Sequence, residues 1–320
     1  MRNAFAAKIT ELAAADDRIV LLTGDIGNRL FDNFRSRWPK RFYNCGIAEA
    51  NMVSLAAGLA LCGLRPVVYT IASFATTRCL EQIRLDICYH ELPVIIVGTG
   101  AGLSYASLGA THHACEDIAL LRVLPGMTVV CPGDSWEVSE AIGALLSANQ
   151  PGYLRLGKKG EPQVHANRPP FRIGQAIQIR SGTDMALLGV GNALALSCTV
   201  ADLLSQQGYS VGVYSLHTIK PLDEACLREV FSHCGLVATI EEHSRLGGAG
   251  GTVAEWLAQR RTARARFVTI GTPDVFFHAA GSQEHVRHAW ELTPQSIAKQ
   301  LVAAFHAGNS AAIHPTGSTT

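Results

Sequence analysis

Short, uninterrupted apolar runs alternate along this chain with longer segments of helical periodicity. The first series of runs comprises Ile19–Thr23, Pro66–Thr70, Val94–Gly98, Met127–Cys131 and Gly152–Leu156. In Val94-Ile95-Ile96-Val97 there is no polar alternation at all, as a strand buried on both faces of a parallel sheet requires. Helical patterns fall between them at Ala48–Cys62, Ser73–Tyr89, Glu116–Val123 and Ser135–Ala148, after an N-terminal amphipathic helix carrying Lys8, Glu11 and Asp16. From Gly157 to Gly174 the chain is rich in Pro, Gly and charge, and Arg168-Pro169-Pro170 cannot continue a helix or a central strand. A second alternation follows. Its strands are Met185–Gly189, Val211–Ser215, Leu236–Glu241 and Arg266–Ile270, and its helices Ala193–Gln207, Asp223–His233, Gly250–Arg260 and Pro294–Phe305. The pattern predicts an α/β protein of two doubly wound domains, 1–165 and 166–308, with a loose polar tail at 309–320.

Composition adds three constraints. With 48% hydrophobic and 17% charged residues, the 320-residue chain has enough apolar surface for two cores and a large subunit interface. A net charge of +1 gives no electrostatic case for nucleic acid or an anionic membrane as partner. Nine cysteines without a CxxC pair fit a reducing, cytoplasmic setting better than a disulfide framework. No apolar run reaches membrane-spanning length, and the start, Met1-Arg2-Asn3-Ala4-Phe5, lacks the apolar core of a signal peptide.

Four segments carry candidate chemistry. In Cys45-Gly46-Ile47-Ala48-Glu49-Ala50-Asn51-Met52, Glu49 stands at a strand-to-helix turn among apolar neighbours. A carboxyl buried there has its pKa raised and needs a hydrogen-bonding partner, although a helix-dipole role is also open to it. Phe74 follows a strand end where ligands of α/β sheets collect, either as core or as a stacking face for a planar heterocycle. The loop from Gly98 to His113 is long and rich in small residues, matches neither GxxxxGK[ST] nor GxGxxG, and offers His112 and His113 without a set of further metal ligands. Glu241-Glu242-His243 precedes a glycine turn and reads equally as catalytic or structural.

Together these segments resemble the transketolase family of thiamine diphosphate enzymes, over about Ala4 to Phe305. The carriers are Gly46-Ile47-Ala48-Glu49-Ala50-Asn51-Met52, Phe74, Glu81-Gln82-Ile83-Arg84, Gly109-Ala110-Thr111-His112, Glu116-Asp117-Ile118-Ala119-Leu120-Leu121-Arg122, Pro132-Gly133-Asp134 and Glu241-Glu242-His243. The resemblance implies a pyrimidine-binding domain followed by a transketolase C-terminal domain. It implies that Glu49 shares a proton with N1′ of the aminopyrimidine, making the exocyclic nitrogen a base toward the thiazolium C2. A two-carbon ketol unit then passes from a ketose to an aldose. Phe74 would stack on the ring, Ile47 and Asp25 would lie beside the cofactor, His112 would touch the reacting oxygens, and Arg155 would face the substrate's distal end.

The chain departs from the family pattern in three places. Leu108 stands where the loop usually has an Asp, and Gly100 where a His near Thr99 binds substrate phosphate. Loss of both polar groups points away from standard pentose phosphates toward a modified or activated sugar, such as a nucleotide-linked or deoxy one. The diphosphate-binding Gly-Asp-Gly motif has only Gly24-Asp25-Ile26 as a counterpart. The resemblance therefore implies that a separate N-terminal chain supplies that motif and most of the Mg²⁺ site, in an α₂β₂ assembly. A 2-oxo acid dehydrogenase β subunit, a deoxyxylulose-phosphate-synthase-like enzyme and a non-catalytic scaffold subunit are the competing readings.

Overall fold

The computed structural model describes residues 1–27, 29–260 and 265–310. Among them twelve strands form two sheets: β1 (Ile19–Thr23), β2 (Phe42–Asn44), β3 (Arg65–Ile71), β4 (Ile95–Thr99), β5 (Thr128–Val130), β6 (Gly152–Leu156), β7 (Ile177–Arg180), β8 (Met185–Gly189), β9 (Val211–Ser215), β10 (Thr218–Lys220), β11 (Leu236–Ser244) and β12 (Arg266–Thr272). The first sheet has the order β10-β5-β6-β4-β3-β1-β2, and the second β12-β11-β8-β9-β7. Every pairing within β1–β6 is parallel, and β1, β4 and β6 are buried along their whole length, which is why β1 and β4 show no polar alternation, while β6 carries the buried Arg155. Both sheets are covered by helices, so the doubly wound α/β expectation holds for each.

The interval after the linker differs from expectation. Strand β10 leaves the second domain and pairs antiparallel with β5, Thr218 opposite Val130, so residues from the C-terminal half complete the first sheet. The backbone N–H of Cys131 donates to the His217 carbonyl at 2.7 Å, and Lys220 Nζ donates to the Arg122 carbonyl at 2.9 Å. A three-residue edge strand carries too little pattern to be read from sequence. Of the polar tail expected at 309–320, Asn309 and Ser310 belong to the last helix, Pro294–Ser310, and 311–320 lie outside the described residues.

A second difference bears directly on function. In place of one helix over Ser73–Tyr89 there is a short helix Ala72–Thr76, a break, one turn Leu80–Gln82, and a widened π-helical stretch Ile83–Tyr89. At the break, side chains compete for the carbonyls that would continue the helix: Thr76 Oγ1 donates to the Ala72 carbonyl at 2.8 Å and Cys79 Sγ to the Phe74 carbonyl at 3.3 Å. The break turns Arg78 back toward the helix Glu49–Leu61.

His217 sits in the crossover, fully buried, with its ring stacked on Phe171 at 4.2 Å between centroids. Burial pushes its pKa from 6.5 down to about 4, so the folded chain holds it neutral. As pH falls through that window the unfolded chain takes up a proton that the folded one refuses, and stability declines. Urea unfolding at pH 7 and pH 4.5 should show a loss of up to ~3 kcal/mol from this residue, and His217→Gln should reduce that loss.

Candidate active site

The order of the first sheet sets the place of the site. From β1 the chain runs to β2 on one side and then to β3 on the other, so a topological switch point lies beyond the carboxyl ends of β1 and β3. Gly24 continues β1 there, the helix Ala72–Thr76 starts where β3 ends, and the helix Glu49–Leu61 begins just beyond β2. Gly24 packs so closely that an added Cβ would lie 3.1 Å from Thr70 Oγ1 and 3.4 Å from Glu49 Cγ.

Glu49 is the first residue of its helix and only 2% exposed. Its Oε2 accepts from Arg78 Nη1 at 2.7 Å, which supplies the partner a buried carboxyl requires. The Arg78 guanidinium lies 4.2 Å from the centroid of the half-buried Phe74 ring, and the His112 ring meets Phe74 edge-on at 5.1 Å. Glu49, Arg78, Phe74 and His112 thus form one continuous row. Thr111 Oγ1 and His112 Nδ1 are 2.9 Å apart, and Ser73 Oγ donates to the Thr111 carbonyl at 3.3 Å, tying the loop to the strand end. Burial holds the His112 pKa below the ordinary value, so its imidazole is neutral at pH 7. Asp25 is held in a left-handed turn (φ +54°) by Asn44, whose amide donates to Asp25 Oδ1 at 3.0 Å. Ile47 is 79% exposed two residues before Glu49, and Leu108 is 52% exposed at the end of a short 3-10 turn. Thr70 Oγ1, beside Gly24, is buried without a partner.

Two residues have roles other than those expected. Arg155 was expected to face substrate, but it is 1% exposed, with Nε donating to Asp117 Oδ2 at 2.7 Å and Nη2 to the carbonyls of Ala114 (2.7 Å) and Glu242 (2.9 Å). Burial opposes its charge, but the Asp117 carboxylate overrides burial and holds the Arg155 pKa above its ordinary value. A charge at mid-strand inside a covered sheet can only be kept by an internal partner, here Asp117 of the same domain, and the Glu242 carbonyl is its contact with the second domain. Gly100 is not simply a position that lost a histidine. Its backbone is left-handed (φ +88°), and a Cβ would lie 2.1 Å from the Tyr105 ring, so the loop's own course excludes a side chain.

Sequence reasoning missed Arg78, whose position beside Glu49 comes from the helix break, and it left the role of Glu241-Glu242-His243 open. Glu241 caps the helix Ala249–Ala258, accepting from the Ala249 and Gly250 N–H groups at 2.8 and 2.7 Å. Glu242, 1% exposed, accepts from the Leu103 N–H at 3.1 Å, from Asn192 Nδ2 at 2.6 Å, from Gln283 Nε2 at 2.9 Å and from Arg287. His243 Nε2 accepts from the Ala119 N–H at 3.3 Å. Glu242 braces the loop 98–113, His243 adds to the domain contact through Ala119, and Glu241 braces a helix of its own domain. Among the described residues no group of three or more His, Cys, Asp and Glu could hold a metal ion.

The family model of the transketolase pyrimidine-binding domain matches residues 1–162, and that of the transketolase C-terminal domain matches 174–297. The chain belongs to the transketolase family. It is 34% identical to one of the subunits of an apulose-4-phosphate transketolase from Phocaeicola vulgatus, over 93% of this chain and 95% of that one. It is 33% identical to a 6-deoxy-6-sulfo-D-fructose transketolase subunit from a Clostridium species, over 96% and 93%. A 1-deoxy-D-xylulose-5-phosphate synthase from Thermomicrobium roseum is 34% identical, but the match spans only 48% of that protein. Among solved structures, a "Split gene transketolase, inactive beta4 tetramer" superposes with a TM-score of 0.88 at 33% identity, covering 95% of this chain and 98% of that one. As a family member the chain belongs to a thiamine-dependent transferase class, and the Phocaeicola vulgatus and Clostridium relatives, of matching length, are named as subunits.

Replacing Glu242 with Ala would leave Arg287 and the Leu103 N–H without their shared acceptor in a nearly dry site. Unfolding free energy should fall by about 3 kcal/mol, and hydrogen exchange at the Leu103 amide should accelerate as the loop loosens.

Proposed function

We propose that this chain is the pyrimidine-binding and C-terminal subunit of a split, thiamine diphosphate-dependent transketolase, active with a partner that carries the diphosphate site. The observation that carries the reading is the row Glu49–Phe74–His112: a buried carboxyl, an aromatic face and a neutral imidazole at the switch point of a parallel sheet. The unpartnered Thr70 hydroxyl and the close Gly24 turn beside Glu49 fit a planar polar ring. Nothing comparable fits the diphosphate, since Gly24-Asp25-Ile26 packs on Glu49 and Thr70 and lacks the second glycine.

When bound, thiamine diphosphate supplies an electron sink for breaking the bond beside a ketose carbonyl. Glu49 holds or releases the proton on the ring nitrogen and keeps the ring's orientation. Phe74 and the exposed Ile47 present apolar surface to the ring, and Asp25 fixes the turn at its edge. His112, neutral and within reach of solvent, passes hydrogen bonds to the substrate oxygens as charge shifts between them. Leu108 and Gly100 place no polar side chain at those two positions, which favours a ketose with an altered distal end. Relatives named for apulose 4-phosphate and a sulfo-deoxy sugar support that preference. The N-terminal partner would supply the Gly-Asp-Gly motif and most of the Mg²⁺ ligands, in an α₂β₂ complex. The solved relative described as a beta4 tetramer supports self-association of this half, and the exposed Leu55, Leu61, Leu85 and Tyr89 supply apolar surface for it. Nine free thiols suit the cytoplasm. A synthase-type reaction with pyruvate as donor is the second reading, favoured by the longer synthase relative of which the match spans 48%.

Reconstitution with the neighbouring gene's product, followed by a screen of ketose donors with aldose acceptors, tests the assignment. Glu49→Gln in that complex should lower kcat at least ~100-fold, and unchanged turnover would leave only the scaffold role. Efficient use of xylulose 5-phosphate with ribose 5-phosphate would overturn the altered-sugar preference, and pyruvate consumption would select the synthase reading.

A further inference from the structure

Arg78 touches both groups assigned to the aminopyrimidine. Its Nη1 donates to Glu49 Oε2 at 2.7 Å, while its guanidinium carbon lies 4.2 Å from the centre of the Phe74 ring. A planar cation that donates N–H to Glu49 while stacked on Phe74 makes the same two contacts that a protonated aminopyrimidine ring would make. The two cannot be made at once at one carboxylate oxygen and one ring face. We propose that Arg78 is an internal placeholder for the aminopyrimidine, occupying its contacts in the cofactor-free subunit and leaving them as the ring arrives. The proposal rests on the reading of Glu49 and Phe74 given above.

The asymmetry of the pair says which partner moves. The Glu49 side chain is 2% exposed and the Arg78 side chain 45%. A carboxylate that dry cannot be left without a partner, whereas a half-exposed guanidinium regains water on leaving and gives up little. Arg78 also stands in the break between Ala72–Thr76 and Leu80–Gln82, where no helical backbone fixes its course. The exchange therefore proceeds by substitution, one planar donor for another, and Glu49 stays paired throughout. Before loading, the guanidinium keeps Glu49 and Phe74 in place and keeps other donors off the carboxylate. The consequence is a competition: the ring's apparent affinity is reduced by the fraction of chains in which Arg78 holds the site.

Titration calorimetry of the full chain with 4-amino-5-hydroxymethyl-2-methylpyrimidine, the ring piece without diphosphate, separates this from the partner's contribution. Arg78→Gln should bind it on the order of tenfold more tightly than the unmodified chain, with Arg78→Lys, which pairs but stacks poorly, in between. The ¹⁵Nε signal of Arg78, assigned by its loss in Arg78→Lys, should move toward that of a solvated arginine on ring addition. Melting curves identify any variant that fails to fold, and the Arg78 signal in the unmodified chain then decides alone. Equal or weaker binding by a folded Arg78→Gln, with Glu49→Gln and Phe74→Ala both impaired, would overturn the placeholder while leaving the site. Unchanged binding in Glu49→Gln and Phe74→Ala, or no binding to any folded variant, would remove the site and the placeholder together.

Discussion

The contact between the two domains depends on two buried charges, each paired within its own domain and each reaching across with a further hydrogen bond. Arg155, at mid-strand in β6, donates from Nε to Asp117 and from Nη2 to main-chain carbonyls at Ala114 and Glu242, while its Nη1 is buried without a partner. The side chain of that same Glu242 reaches from β11 to the Leu103 N–H, to Asn192 and to Gln283 and Arg287. Ion pairs of this kind contribute little net stability compared with an apolar core, but removing one partner strands the other in a dry interior. Any rotation of one domain against the other breaks several of these contacts together. The knot therefore specifies the geometry of the molecule more than it strengthens it.

That geometry bears on the loop carrying His112, which packs Leu103 and Ala106 into the interior. It is built from glycines and short side chains, and a Cβ on Gly102 would stand 2.4 Å from Glu242 Cβ. The close approach lets Glu242 grip the loop at Leu103 while the other end is tied through Ser73 to the end of β3. The His112 ring is held by Thr111, Phe74 and Tyr105 of the first domain, on a loop that Glu242 of the second domain grips at Leu103. The second domain acts as a brace for the chemistry of the first.

Glu49 shows the other half of the design. The switch point gathers Gly24, Glu49 and Phe74 from three separate segments, and the helix break brings Arg78 onto two of them. The carboxyl is dry and paired, while Ile47, Leu108 and part of Arg78 remain open to solvent. A dry, paired carboxyl thus borders an open, solvent-facing edge.

Much of this was legible in the residues. Unbroken apolar strands alternating with helical periods specify a parallel α/β sheet because both faces are covered, and Glu49 in its turn is conspicuous because an acid among apolar neighbours needs a reason. The long strands and helices were readable since each repeats its pattern over several residues. The edge strand Thr218–Lys220 was not, because three residues carry no period and its partner β5 lies far away in sequence. Arg155 was misread as a substrate ligand because a lone arginine in a strand shows its charge but not its partner, and its partners come from two distant segments, one with Ala114 and Asp117 and the other with Glu242. Arg78 and Gly100 were decided in the same way, one by side chains interrupting a helix and the other by the ring of Tyr105. The sequence by itself determined the layers, the family and the acid at the switch point, since those depend on local pattern and residue type. Only the tertiary structure decided which charges hold the domains together and which one rests on Glu49, because a buried charge takes its role from the neighbour that the fold brings to it.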